Sequence, residues 1–180
     1  MKAHIIHDTA RGDRMHLLQK EIASQGIEPV YWPAVHHHNP RTGISRAHKQ
    51  IVKWARQNRI EEVLILEDDV HFTAPGALDY FISKKPPVYD IYLGGYLIGK
   101  PDNENRVRRF AGTHCWMIHA RFYNTVLSVN EGLNIDTALQ RKGNYYVCDP
   151  MVATVHDSYS DRLKAFTSHR KYFEGRKLFS

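Results

Sequence analysis

The chain has 180 residues, 42% of them hydrophobic, with a formal net charge of +6 and a pI near 9.3. That length suits one domain with its own core, and its longest apolar runs are far too short to span a bilayer. The basic balance favours anionic partners, and "MKAHIIHDTARGD" turns polar too soon for a signal peptide, so a cytoplasmic location is expected.

"KAHIIH" reads as a first strand. A helix follows over "GDRMHLLQKEIASQG", with Asp13 as its cap, Met15, Leu18 and Ile22 as its apolar stripe, and Gly26 as its stop. "EPVYWPAV" is a second strand interrupted by Pro33. "HHHNPRTG" is a loop, and its adjacent His36, His37 and His38 do not all converge on one ion. A second helix runs from Ile44 to near Asn58, with Ala47, Ile51, Trp54 and Ala55 on one side. "VLIL" is a strand buried on both faces, as in a parallel sheet. Helix-like "APGALDYFIS" and strand-like "YDIYLG" come next. "GYLIGKPDNENRVRRFAG" is a loop long enough to suggest function. "HCWMIH" is a strand, "RFYNTVLSV" a helix and "NIDTALQRKG" a helix capped by Asn134, before one or two closing strands in "YYVCDPMVATVH".

Cys115 and Cys148 sit in strand-like segments and read as free buried thiols. The alternation of strands and helices predicts an α/β fold, one domain over residues 1–180 with a mostly parallel sheet flanked by helices and a basic tail from about residue 165.

Chemistry concentrates at "VLILEDDV", where a buried strand runs straight into Glu67, Asp68 and Asp69. Like charges near a core repel and lose solvation, so a positive partner is expected. In open α/β sheets ligands bind beyond the carboxyl ends of strands. If the chain stays extended, Glu67 and Asp69 share a face and Asp68 points away. Two carboxylates on one face suit a divalent cation that also holds a phosphate. Helix capping, or salt bridges to nearby basic residues, is the structural alternative.

Eight segments in order, over residues about 3 to 161, carry a resemblance: "HDTARGDR", "VYWPAVHHH", "GISRAHK", "LILEDDV", "IYLGGY", "AGTHCWMIH", "NIDTAL" and "PMVATVHDSYSD". Together they resemble glycosyltransferase family 25, the group of lipooligosaccharide galactosyltransferases and collagen galactosyltransferase domains. Ser45 and His48 stand apart where that family has an adjacent pair. The resemblance implies a single Rossmann-like GT-A domain and an inverting, metal-dependent transfer of a hexose from a UDP-sugar. The acceptor is a hydroxyl of a glycan, a lipid-linked molecule or a protein. Manganese or magnesium is the implied cofactor, held by Glu67 and Asp69, with His156 as a third ligand or an ordinary loop histidine. Asp68 is a further ligand or a contact to the donor.

Asp8 and Arg14 lie in a strand-to-helix connection, where nucleotides meet Rossmann-like sheets, and are expected on the nucleotide. The resemblance places Ser45 and His48 near the donor, and Gly112 permits close approach of backbone to donor and acceptor. Arg162, and less so Lys164, is placed within reach of the diphosphate. Arg14 pairing with Asp13 or Glu21, and His48 packing in the core, are the alternatives. Asp136 matches the position of the base, with Asp157 and Asp161 as rivals. Trp116 either stacks on a sugar or belongs to the core. Two other readings compete: a basic nucleic-acid-binding protein without catalysis, and a metal-dependent phosphohydrolase. The ordered motifs do not follow from the first, so no nucleic acid is expected, and the second needs more carboxylates or histidines at metal spacing. Peripheral contact with an acidic membrane is a further expectation from the basic tail.

Overall fold

The computed structural model describes residues 1–160 and 165–180. In chain order the elements are β1 (Lys2–His7), α1 (Gly12–Ser24), β2 (Glu28–Pro33), α2 (Pro40–Gln57), β3 (Glu62–Glu67), β4 (Val70–Phe72), α3 (Ala77–Ser83) and β5 (Ile91–Leu93). Then come β6 (Ile98–Gly99), β7 (Arg106–Val107), β8 (Phe110–Ala111), β9 (Cys115–His119), α4 (Tyr123–Ser128), α5 (Ile135–Leu139), β10 (Tyr145–Val147), β11 (Ala153–Val155), β12 (Ser158–Ser160) and β13 (Ala165–Thr167).

The main sheet has the order β2-β1-β3-β9-β5-β10-β7. Strands β2, β1, β3, β5 and β10 run one way, while β9 and β7 oppose them. The sheet is therefore mixed and mostly parallel, as the sequence predicts. Strand β3 shows why it is stable. Val63 and Ile65 face a core formed with α2, α4 and α5, and Leu64 and Leu66 face one formed with α1 and α3. All four are at most 1% exposed, and each such side chain contributes about 1.5–3 kcal/mol by leaving water.

Several local details differ from the sequence reading. Helix α1 begins at Gly12 with no side-chain cap, because Asp13 sits inside its first turn and pairs with the Arg11 guanidinium at 2.8 Å. Helix α2 begins at Pro40, ahead of the expected Ile44. There Asn39 Oδ1 accepts from Arg41 N at 3.1 Å, and proline needs no amide partner in a first turn. Asn134 holds the cap position of α5 without a side-chain bond. The long loop is partly ordered: β6 pairs with β8, and β7 joins the main sheet.

Strand β2 is an edge strand. The amides of Glu28 and Ala34 donate inward, to the carbonyls of Met1 and His7 at 2.9 and 3.0 Å. The basic C-terminal segment is also docked: Phe173 enters the core, and Arg176 donates to the carbonyls of Tyr96 and Leu97. Both cysteines are free and buried. Among the described residues, no helix is long and apolar enough to cross a membrane.

Candidate functional site

Ile6 lies opposite Glu67 in the β1–β3 ladder, so the residues that follow both strands leave the sheet at one edge. Strand β9 runs the other way and begins there, with Glu67 N donating to His114 O at 3.1 Å. The site is built where these three chain segments meet.

Asp68 turns toward α1. It accepts from Arg14 Nη1 at 2.6 Å and from the Asp8 amide at 3.1 Å, and lies 3.2 Å from His7 Nδ1. Glu67 turns the opposite way, toward α2, and is bonded by His48 Nε2 at 3.2 Å and by the Thr113 hydroxyl. Burial works to raise the Glu67 carboxyl, but His48 and Thr113 outweigh it and hold it at about 2. Asp69 has less compensation. Arg14 Nη1 lies 3.2 Å from its Oδ2, while Oδ1 is buried with no hydrogen-bond partner. Burial first, and the charge of Glu67 second, push the Asp69 carboxyl up to about 7 against the pull of Arg14. Arg14 is thus part of the expected positive partner, and it reaches the acids and not Asp13 or Glu21.

Two cavities meet here, and Ile44, Glu67 and Asp69 line both. The first, of about 580 Å³, is walled by Asp8, Arg14, Asp68, His48 and the loop residues His36 and His37. It exists because Gly43 lets α2 close against the preceding loop; a Cβ on Gly43 would lie 2.2 Å from the Val35 carbonyl oxygen. The second, of about 800 Å³, is lined by Gly112, Asp136, Lys100, Arg109 and Tyr172. Asp136 lies in the first turn of α5, where Oδ2 accepts from Gly112 N at 3.1 Å and Oδ1 from Thr137 N at 2.6 Å. Gly112 adopts φ +113°, and a Cβ there would crowd Leu97 N at 3.0 Å.

The structure therefore brings together Asp8, Arg14, His48, Glu67, Asp68 and Asp69 around one cavity, and Gly112 and Asp136 around its neighbour. It does not bring in three others. Ser45 is fully buried on α2 and lines neither cavity, which removes it from the donor-binding set. Trp116 is likewise 0% exposed, packed edge-on to His48 at 5.2 Å, so the core alternative holds for it. His156 is the third correction. Its backbone amide bonds Asp69 O at 2.8 Å, but its ring turns to Glu21 Oε1 at 3.1 Å. Among the described residues, no group of three ligand atoms within 4.8 Å joins it to Glu67 and Asp69. Asp157 is occupied by Ser168 Oγ and His169 N. Asp161, Arg162 and Lys164 lie outside the described residues.

Sequence reasoning missed Thr113, Lys100 and Arg109. The signal for the two cations was present in the long loop "GKPDNENRVRRF", whose length suggested function without singling out a residue.

No protein-family profile matches the chain, and no curated protein matches its sequence. Solved structures do share its fold. A197 from STIV is 15% identical with a TM-score of 0.57, over 86% of this chain and 84% of that one. A glycosyltransferase involved in the glycosylation of the major capsid of PBCV-1 is 14% identical with a TM-score of 0.53, over 96% and 97%. The inositol-1-phosphate CTP transferase from T. maritima is 16% identical with a TM-score of 0.52, over 97% and 78%. At these identities the likeness is one of fold. This is the Rossmann-like α/β architecture, GT-A-like in its mixed sheet, found in nucleotidyl- and glycosyltransferases.

Proposed function

We propose that the chain is a metal-dependent, inverting glycosyltransferase that moves a hexose, galactose or glucose, from a UDP-sugar to a hydroxyl of a glycan, lipid-linked or protein acceptor. The observation that carries this reading is the pair of cavities with Glu67 and Asp69 as their shared wall, one lined by Arg14 and the other by Asp136. On this reading the nucleotide diphosphate occupies the first cavity. Arg14 and the amides opening the 13-residue helix α1 favour its charge, and Asp8 accepts from the ribose or base. Asp68 holds Arg14 in place, and His48 and Thr113 hold Glu67. The acceptor occupies the second cavity, with its hydroxyl near Asp136. The amides of Gly112 and Thr137 orient that carboxylate to take the hydroxyl proton.

Glu67 and Asp69 fit a divalent cation. They flank Asp68 on one turn, and Asp69 keeps one buried oxygen unpartnered and its charge only partly met by Arg14. With oxygen donors alone, manganese or magnesium suits the pair. Such an ion would supply neutralisation of the charge that grows on the departing diphosphate. A lipid-linked acceptor would bring the basic chain to an acidic membrane surface.

Calorimetry with UDP and manganese tests the donor side: the wild type is expected to bind, and Glu67→Gln to lose the manganese-dependent part. Asp136→Asn is expected to keep donor affinity while acceptor-dependent kcat falls about a hundred- to ten-thousand-fold. Absence of UDP affinity, or release of pyrophosphate from UTP and a sugar phosphate in place of UDP from a UDP-sugar, overturns the reading.

A further inference from the structure

Away from the acid pair, three side chains from distant parts of the chain meet on one oxygen. Glu21 on α1, His71 on β4 and His156 just after β11 each place a ligand atom within 4.8 Å of the others. Oε1 of Glu21 lies 2.7 Å from His71 Nδ1 and 3.1 Å from His156 Nε2. Its second oxygen accepts from Phe72 N at 2.9 Å, which fixes the plane of the carboxylate. The two imidazole rings stand 4.5 Å apart. Glu21 is nearly buried and His71 is half-exposed, so the cluster is open to solvent on one side.

Two imidazole rings share one carboxylate oxygen here, and at 4.5 Å they repel if both are charged, so as a purely hydrogen-bonded group one of them is a neutral N–H donor. A divalent metal replaces the shared protons and satisfies all three groups at once. Two imidazole nitrogens and one carboxylate oxygen, with a fourth position open, form a donor set that zinc takes in tetrahedral geometry. Zinc bonds of about 2.0–2.1 Å separate ligand atoms by roughly 3.4 Å. The carboxylate–imidazole spacings of 2.7 and 3.1 Å open by about 0.3–0.7 Å to reach this, and the two imidazole nitrogens already lie within 4.8 Å of each other. The Phe72 amide supplies the outer hydrogen bond that metal-binding carboxylates require.

We infer that Glu21, His71 and His156 form a zinc site separate from Glu67 and Asp69. It ties α1 to the β4–β11 pair, in which His71 lies opposite Thr154. Both partners of the tie reach the acidic turn. Helix α1 carries Arg14, which bonds Asp68 and Asp69, and the His156 amide bonds Asp69 O. Zinc here sets the turn from two sides, with water as its fourth ligand.

The test uses the full chain, stripped with a chelator and titrated with zinc alone. One equivalent is expected to bind and to raise Tm, and cobalt in its place is expected to give the visible absorption of a four-coordinate ion. His71→Ala and Glu21→Gln should each weaken zinc by at least about 100-fold, more than the loss of an outer-shell partner. The triple replacement of His36, His37 and His38 by Ala should leave zinc affinity unchanged. His71→Cys keeps a ligand, so it should restore binding and add sulfur-to-cobalt charge transfer, a readout that a packing role for His71 does not produce. Absence of stoichiometric zinc binding overturns the inference. So does zinc affinity that survives His71→Ala or disappears in the triple histidine variant.

Discussion

Asp69 is the least compensated group in the molecule's acid cluster, with one buried oxygen unpartnered and Glu67 beside it. Asn keeps its shape and removes the charge. Asp69→Asn is therefore expected to stabilise the metal-free protein by about 1–3 kcal/mol. Urea unfolding in a chelator measures this, and an unchanged or lower midpoint contradicts the account. The same variant should lose manganese-dependent UDP binding, so stability and function move in opposite directions. At this scale the sequence was legible where chemistry is contiguous: "LEDD" and "HDTARGDR" name the acids and Arg14 directly. It was not legible where partners are brought together by folding. Thr113 is 46 positions from Glu67, and His156 is 135 positions from Glu21. Nothing local distinguishes a histidine aimed at Glu67 from one aimed at Glu21.

Among the elements, α2 does most to shape the first cavity. Its start at Asn39 and Pro40 sets the loop of residues 34–38, and Gly43 sets how closely that loop approaches. Gly43→Ala forces a Cβ to within 2.2 Å of a carbonyl oxygen, so backbone has to move. The expected cost is about 1–3 kcal/mol, with weaker nucleotide binding because Gly43, Ala34 and Val35 all line that cavity. Thermal melts and UDP calorimetry check both halves; a neutral effect on each would mean the loop yields freely. The core elements followed from periodicity. The four aliphatic residues of β3 predict burial on both faces, and the two cores confirm it. The short strands β4, β6, β7 and β8 did not follow. Each spans two or three residues, too few for a pattern, and each exists because a neighbour offers it a ladder.

For the molecule as a whole, the direction of β9 was also beyond the sequence. Its apolar run says only that it is buried, and reversal is a property of the connection. The C-terminal segment read only as a basic tail, yet Phe173 and Arg176 fasten it beside the second cavity. A charge count cannot see a single anchoring aromatic.

The edge strand β2 has a consequence for how these molecules meet one another. Glu28 and Ala34 spend their amides inward, so the intervening odd-numbered residues direct theirs outward. Those residues are Pro29, Tyr31 and Pro33, and two of the three have no amide hydrogen to offer. The opposite edge, β7, is only two residues long. An approaching chain thus finds a single donor on one side and almost no ladder on the other, a built-in barrier to strand addition between copies. Replacing Pro29 with Thr and Pro33 with Val should leave the fold in place and speed thioflavin-positive fibre formation under agitation. Two prolines that contribute nothing to the chemistry of the site would then be what keeps a crowded population of this protein apart.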